Sequence, residues 1–397
     1  MSPRVLRVGS RVRHIVFALA LSSAFALSSA AGSAAASDES ARVSPHIIGG
    51  TLAPAGTWPS LVALVASGGN PASGQFCGGT LIAKRWVLTA AHCLVDASGN
   101  AVPPGDQYVF AGQHDLTAPG EEIEVSRVLV NPNYDDTSTV NDIALLELTN
   151  ASSQSVRPVI KPSQTDSWQP GDPALVAGWG GVVPQPVGCP GSPGCPPQTY
   201  SSDLREVQVA VVDDADCSAE YGSFFDSPSM LCAGIYPAGG KDACQGDSGS
   251  PLEVNTPAGR ALIGVVSGGE GCGAANYMGI YNRTANYRTW IGNYAATVSG
   301  APSPLGFGKV KVGRKRFKSV TLTGTSSLPA TVAQYAVSGK GFKRAGGTCA
   351  TTIETDASCK VKIRFKPGSK KKRSGYLTVT SAKGTVYRKV KLVGTGR

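Results

Sequence analysis

The sequence predicts an all-β protein with two modules of opposite charge, and three observations carry that expectation. Short apolar runs alternate with turn residues between positions 47 and 300, glycine fills 49 of 397 positions, and basic residues crowd into the last quarter of the chain. The length admits two or more domains.

The N-terminus is read first. Arg4, Arg7, Arg11 and Arg13 precede an apolar run over 15–27, and the small-residue stretch AAGSAAAS comes next with several A-x-A cuts. This is the pattern of a secretory signal peptide, assigned to 1–36, too short and wrongly flanked to span a bilayer. No later stretch is apolar enough to cross a membrane, so a secreted, extracellular protein is expected. Ten cysteines in an exported chain are most simply five disulfides. With no CxxC spacing and four histidines, neither a metal nor a cofactor is expected.

Charge divides the remainder of the chain. Residues 47–300 carry 10 Lys+Arg against 23 Asp+Glu, net −13, whereas 301–397 carry 22 against 2, net +20. The expected boundary is VSGAPSPLG, where Gly, Ser and Pro cluster after a helix over 286–296, giving a linker at 299–306.

In the first module SLVALVA, GTLIAKRWVLTA, VSRVLV, NDIALLEL, PALVAGWG, SPLEV and ALIGVVSG read as strands of an antiparallel barrel or sandwich. Among them lies DACQGDSGSP, which sets Asp247 beside Ser248 and Asp242 six residues upstream. A serine hydroxyl needs a general base, normally histidine, and a carboxylate to orient that base. The histidines are His14, His46, His92 and His114. His92 in LTAAHC ends a strand-like run, whereas His114 sits in a turn beside an acid.

IIGG at 47, LTAAHC at 88, NDIALLEL at 141, GWG at 178, GDSGSP at 246 and VSGGEGC at 266 occur in the order of the chymotrypsin-like serine proteases. The sequence resembles that family from 47 to about 296. The resemblance implies two packed six-stranded antiparallel barrels with the active site between them. It implies Ser248 as nucleophile, His92 as general base, Asp142 as the carboxylate behind it, and the amides of Gly246 and Ser248 as an oxyanion hole. It implies that Asp247 pairs with the ammonium of Ile47 once the chain is cut after His46, so 37–46 is a propeptide and 47–298 the protease domain. Asp242 would floor the specificity pocket, with Gly269 and Gly279 as its walls, favouring peptide substrates with Arg or Lys before the cut bond. Cys77 with Cys93, Cys217 with Cys232, and Cys244 with Cys272 match family disulfides. Cys189 and Cys195, in the Pro/Gly-rich insert 182–198, most simply close a local loop.

Three departures stand out. His46 replaces the usual Arg or Lys before the activation cut, so self-activation should be poor. Gly268 replaces a tryptophan, which should widen the neighbouring subsite. Gln113 replaces an acid in the family's calcium loop, so calcium is not expected there, although Asp115 and Glu121 or Glu122 could offer oxygens.

In the tail, Val310 and Val312 alternate with Lys309 and Lys311, and Val361, Ile363 and Phe365 with Lys360, Lys362, Arg364 and Lys366. Period two predicts a sheet with one buried and one positive face. Residues 307–397 are read as a small basic β-sandwich, which resembles the Ig-like domains appended to bacterial secreted proteins. Cys349 and Cys359 would close a hairpin-like loop. The charge should attract a polyanion: a cell-wall polymer, lipopolysaccharide or glycosaminoglycan. The alternative to an enzyme is a catalytically silent protease fold that binds a surface through this domain.

Overall fold

A computed structural model describes residues 47–190 and 192–397; the expected signal peptide and propeptide lie outside the described residues. After the short strand β1 (Thr51–Leu52), the first barrel closes through β2 (Leu61–Ala66), β3 (Gln75–Ala83), β4 (Trp86–Thr89), β5 (Gln107–Ala111), β6 (Glu121–Val130) and β7 (Ala144–Leu148), in the order β2-β3-β4-β7-β6-β5. The run LVALVA is apolar throughout because β2 is buried on both faces. Val62 and Leu64 fill the barrel, while Leu61, Ala63 and Val65 pack with Trp58 and, from the second half, Trp179. In β6, Ile123 and Val125 point inward and Glu122 and Glu124 outward, the alternation of a strand with one solvated face.

The second barrel comprises β8 (Pro173–Gly178), β9 (Arg205–Val212), β10 (Met230–Gly234), β11 (Pro251–Thr256), β12 (Gly259–Gly268) and β13 (Gly279–Arg283). It closes because β8 pairs with both β9 and β11. Val176, Val207, Val209, Leu252, Ile263 and Tyr281 fill it, together with Ile47 at the start of the described chain. A helix, Asp214–Tyr221, is capped by Asp213, which accepts from the Ala215 amide at 2.8 Å. The helix expected over 286–296 runs Arg288–Ala295, after a 3-10 turn at Thr284–Tyr287.

Beyond it the linker expectation is corrected. Residues 299–306 are not a tether: β14 (Val298–Ala301) already pairs with β16 (Arg316–Gly324), and β15 (Leu305–Val310) pairs with β22 (Val386–Gly396). The Gly, Ser and Pro of VSGAPSPLG turn the chain between two sheets within one module. Those sheets run β14-β16-β20-β18 and β15-β22-β21-β17-β19, with β17 (Ala330–Val337), β18 (Phe342–Gly347), β19 (Thr352–Ile353), β20 (Ser358–Phe365) and β21 (Lys372–Ser381). Val320, Val361, Ile363 and Phe365 of one sheet share a core with Phe307, Leu377, Val379 and Val390 of the other. Phe307, Phe342 and Phe365 meet there with ring centroids 4.6–5.6 Å apart. Each such buried ring contributes about 1.5–3 kcal/mol. The positive side chains fall on the other face: Lys360 and Lys362 are exposed while Val361 and Ile363 are buried. All five expected disulfides are formed.

Candidate active site

His92 opens a 3-10 turn just after β4, and Asp142 precedes β7, so the paired strands β4 and β7 bring them together across 50 residues. Asp142 Oδ2 lies 2.7 Å from His92 Nδ1, and Asp142 Oδ1 accepts the His92 backbone N–H at 2.8 Å. Two groups that sequence reasoning missed hold the same aspartate. Ser267 Oγ donates to Asp142 Oδ2 at 2.6 Å, and Asn282 Nδ2 donates to the Asp142 carbonyl at 2.6 Å. Ser267 lies inside the VSGGEGC motif, so its neighbourhood was legible although its bond was not. Burial works against a charged His92 ring, but the charge and hydrogen bond of Asp142 outweigh it, with Asp136 adding, and the pKa is raised above 6.5.

Ser248 comes from the second barrel, before β11, and is stitched to the first through backbone. Gly78 N–H donates to the Ser248 carbonyl at 2.7 Å, and Thr89 Oγ1 donates to the Gly78 carbonyl at 2.7 Å. A Cβ on Gly249 would meet Thr89 Oγ1 at 2.2 Å, so this close seam requires glycine. Thr89 lies three residues before His92, so this seam ties the loop that carries the serine to the segment that carries the histidine. Among the described residues no hydrogen bond joins Ser248 to His92; such bonds commonly tighten only around substrate. Gly246 has φ +91° and neither its N–H nor that of Ser248 donates to another group among the described residues. His114 is not part of the site: its Nε2 lies 2.5 Å from the Ala53 carbonyl.

The two neighbouring aspartates are both buried, at 6% and 0% exposure, and differ in their surroundings. Asp247 accepts from Gly180 N at 2.8 Å and Cys244 N at 2.9 Å, in a cradle where a Cβ on Gly178 would lie 2.1 Å from Asp247 Oδ1. Ile47 packs into the second barrel at 1% exposure, and the Asp242 amide donates to the Ile48 carbonyl at 3.1 Å. IIGG is thereby fastened to the pocket loop. Asp242 accepts from Gly273 N at 3.0 Å through Oδ2, while its Oδ1 has no hydrogen-bond partner among the described residues. Burial pushes both carboxyls up to about 7; backbone amides pull each back, and the charge of Asp247 adds to the rise at Asp242.

Asp242 and Ser248 line one cavity of about 230 Å³, together with Ser267, Gly268 and Gly269 of β12 and its end, and Pro190 of the insert. Gly279 stands behind the carboxylate. Gly268 faces open space, with nothing within 4 Å of a Cβ built there, and Gly269 would make only ordinary contacts at 3.6 Å. The insert is bonded to the pocket wall: Gln185 and Cys272 exchange backbone hydrogen bonds at 3.2 and 2.9 Å. In the segment that matches the family's calcium loop, Asp115 accepts from Thr117 within its own turn, whereas Glu121 accepts from Ser152, 31 residues away beyond β7.

Two six-stranded barrels with a serine and a His–Asp pair at their seam define the class: a serine-protease fold. The Trypsin family model matches residues 47–291, and the chain belongs to that family. It is 37% identical over 253 residues to Trypsin 5G1 of Aedes aegypti, covering 63% of this chain and 85% of that one. It is 36% identical over 255 residues to Serine protease 56 of Homo sapiens, of whose length it spans 39%. Among solved structures, the VesB protease of Vibrio cholerae covers 88% of this chain and 99% of its own at 27% identity, with TM-score 0.52. The secreted serine protease VesC of the same organism shares the fold, at 24% identity and TM-score 0.51. No helix among the described residues is long and apolar enough to cross a membrane.

Proposed function

We propose that the chain is an exported serine endopeptidase that cuts after Arg or Lys and is held as a zymogen until cleavage after His46. The observation that carries the specificity is Asp242 Oδ1, a buried oxygen without a hydrogen-bond partner among the described residues, in the cavity that Ser248 also lines. A buried carboxylate is costly unless a cation meets it, and a substrate guanidinium or ammonium would supply that cation.

Ser248 Oγ attacks the scissile carbonyl while His92 Nε2 takes its proton, and Asp142, bonded to Nδ1, stabilises the imidazolium. The amides of Gly246 and Ser248 receive the oxyanion, where losing one donor costs about 3–4 kcal/mol. His92 then hands its proton to the leaving amine, the C–N bond breaks, and water attacks the Ser248 ester by the same route in reverse.

Activation depends on Asp247. Buried without a cationic partner among the described residues, it would take the freed Ile47 ammonium, and that pair would fix the Gly246 to Ser248 turn. With His46 before the cut, a pocket that selects cations is a poor self-activator, so another protease acts first.

The test is a chromogenic arginine ester. A product burst from material beginning at Ile47, abolished by Ser248→Ala and absent with phenylalanine esters, supports the reading; equal turnover of both esters overturns the specificity.

A second activity, surface binding, is favoured by one further observation. The 22 basic residues of 301–397 face two acids, and among the described residues none of them enters an ion pair. Such a face would hold a cell-wall polymer, lipopolysaccharide or glycosaminoglycan, with an affinity that falls steeply with salt. A silent protease fold would keep this binding and lose the burst.

A further inference from the structure

The helix Arg288–Ala295 touches both the catalytic aspartate's neighbour and the C-terminal module. Tyr287, at its entry, is buried and donates its hydroxyl to Asn141 Oδ1 at 3.0 Å. Asn141 is the residue before Asp142. It holds φ +58°, a conformation costly for a side-chain-bearing residue, and its Nδ2 donates to the Asn133 carbonyl at 2.9 Å. A strained residue is kept in place only if its surroundings fix it, and both ends of the Asn141 amide are fixed here.

The next residue, Arg288, is buried and reaches the other way. Its Nη1 donates to the Val159 and Ile160 carbonyls, which join the two barrels, and its Nη2 to the Ser327 carbonyl of the C-terminal module. Two further contacts hold that module on the helix. Tyr387 Oη donates to the Gly292 carbonyl at 2.8 Å, and Gly292 lies so near Pro329 that a Cβ would sit 2.1 Å from the Pro329 oxygen. Ile143, Leu145, Ile291, Leu328 and Ala330 belong to one continuous apolar cluster that crosses the junction.

We propose that Tyr287 is a positioning residue for Asp142, and that docking of the C-terminal module onto this helix sets its position. The module is then a buttress of the active site. The helix is clamped by the module through Arg288 and Gly292; the clamp fixes Tyr287, Tyr287 fixes the strained Asn141, and Asn141 sets the backbone from which Asp142 orients His92. This proposal rests on the protease reading above.

The test uses the full mature chain and two substitutions on opposite sides of the helix. Tyr287→Phe removes the hydroxyl alone. Gly292→Ala places a methyl against Pro329, on the module's side, at a position where alanine otherwise favours helix. Hydrogen exchange over 325–332 reports whether the module has loosened. The expected result is that each variant lowers kcat about 3- to 10-fold with KM unchanged, the loss of one positioning hydrogen bond. The double variant falls no further than the worse single one, and the low-field Nδ1 proton resonance of His92 moves in all three. The proposal is overturned if Tyr287→Phe leaves kcat and that resonance as in the wild type. It is equally overturned if Gly292→Ala leaves exchange over 325–332 unchanged, or loosens it with kcat intact. A wild-type chain without a Ser248-dependent burst would refute the protease reading, while the proton resonance would still decide the coupling.

Discussion

Gly279 stands so close to Asp242 that a Cβ built on it would lie 2.7 Å from Asp242 Oδ1. The glycine therefore makes room for the carboxylate before it makes room for substrate. Gly279→Ala should push the charged oxygen out of line and lower kcat/KM for arginine esters by about 10-fold, a short-range displacement effect. Asp242→Ser should lower it by ~10²–10³-fold or more, since a desolvated cation then lacks its partner. Steady-state kinetics with matched arginine and phenylalanine esters read both, and an Asp242→Ser enzyme that keeps its arginine preference would remove Asp242 from the account.

The two buried carboxyls set a pH dependence. Asp242 and Asp247 each rise from the ordinary 3.8 to about 7, by burial first, with Tyr281 and Tyr221 also facing Asp242. Folded protein thus keeps protons that the unfolded chain has lost between those values, and stability of the uncleaved chain falls as pH rises through that window. Binding of an arylamidine cation should run the opposite way, tightening by up to ~10-fold per pH unit until Asp242 is ionised near 7. Calorimetry across pH 5–8 checks both slopes; affinity independent of pH would mean that the amidine meets no titrating carboxyl.

Much of this site was legible because its motifs are local. GDSGSP and LTAAHC each span only six residues, whereas Asp142 stands out among 27 acids only through the resemblance of NDIALLEL to the family's motif. The supports were not legible, since they come from remote segments: Ser267 reaches Asp142 across 125 residues and Asn282 across 140. The linker at 299–306 was misread because Gly, Ser and Pro mark a turn inside a sandwich as readily as a tether between domains. Period two did reveal the basic strands, where Lys360 and Lys362 flank the buried Val361.

In the proposed mechanism His92 sets the acid limb of activity. Its pKa lies above 6.5 because Asp142's charge and hydrogen bond overcome burial, with Asp136 adding. A raised histidine gives stability that is fully present below 6.5 and lost as pH rises through the folded value, while kcat/KM rises over the same range. Asp142→Asn should move that limb downward and lower kcat by about 10⁴-fold, the effect associated with a wrong tautomer in this chemistry. A pH–rate profile whose limb stays put in the variant would mean that another group titrates.

Asp247 is enclosed by glycines, and a Cβ on Gly180 would sit 2.5 Å from its Cγ. Gly180→Ala should therefore displace the carboxylate proposed to receive the Ile47 ammonium. The cut chain would stay zymogen-like, with activity down by more than ~10²-fold, since the oxyanion donors are not set. N-terminal sequencing confirms that the chain begins at Ile47, and active-site titration counts competent serines. Full titration of the cut variant would show that the turn forms without the pair.

Pro190 lines the cavity shared by Asp242 and Ser248 from a loop closed by Cys189–Cys195, and the insert is bonded to the pocket wall at Gln185 and Cys272. The bridge closes a loop with five residues between its cysteines, so its loss should free Pro190 while leaving Ser248, His92 and Asp142 untouched. The double substitution of Cys189 and Cys195 by serine should raise KM for arginine esters about 3- to 10-fold with kcat retained, because the change falls on ground-state binding and transition-state binding alike. Parallel assays of lysine and arginine esters show whether the rim reads the longer, planar cation, which has more to lose when the rim moves. Unchanged KM for both would make the bridge a surface staple with no share in substrate selection.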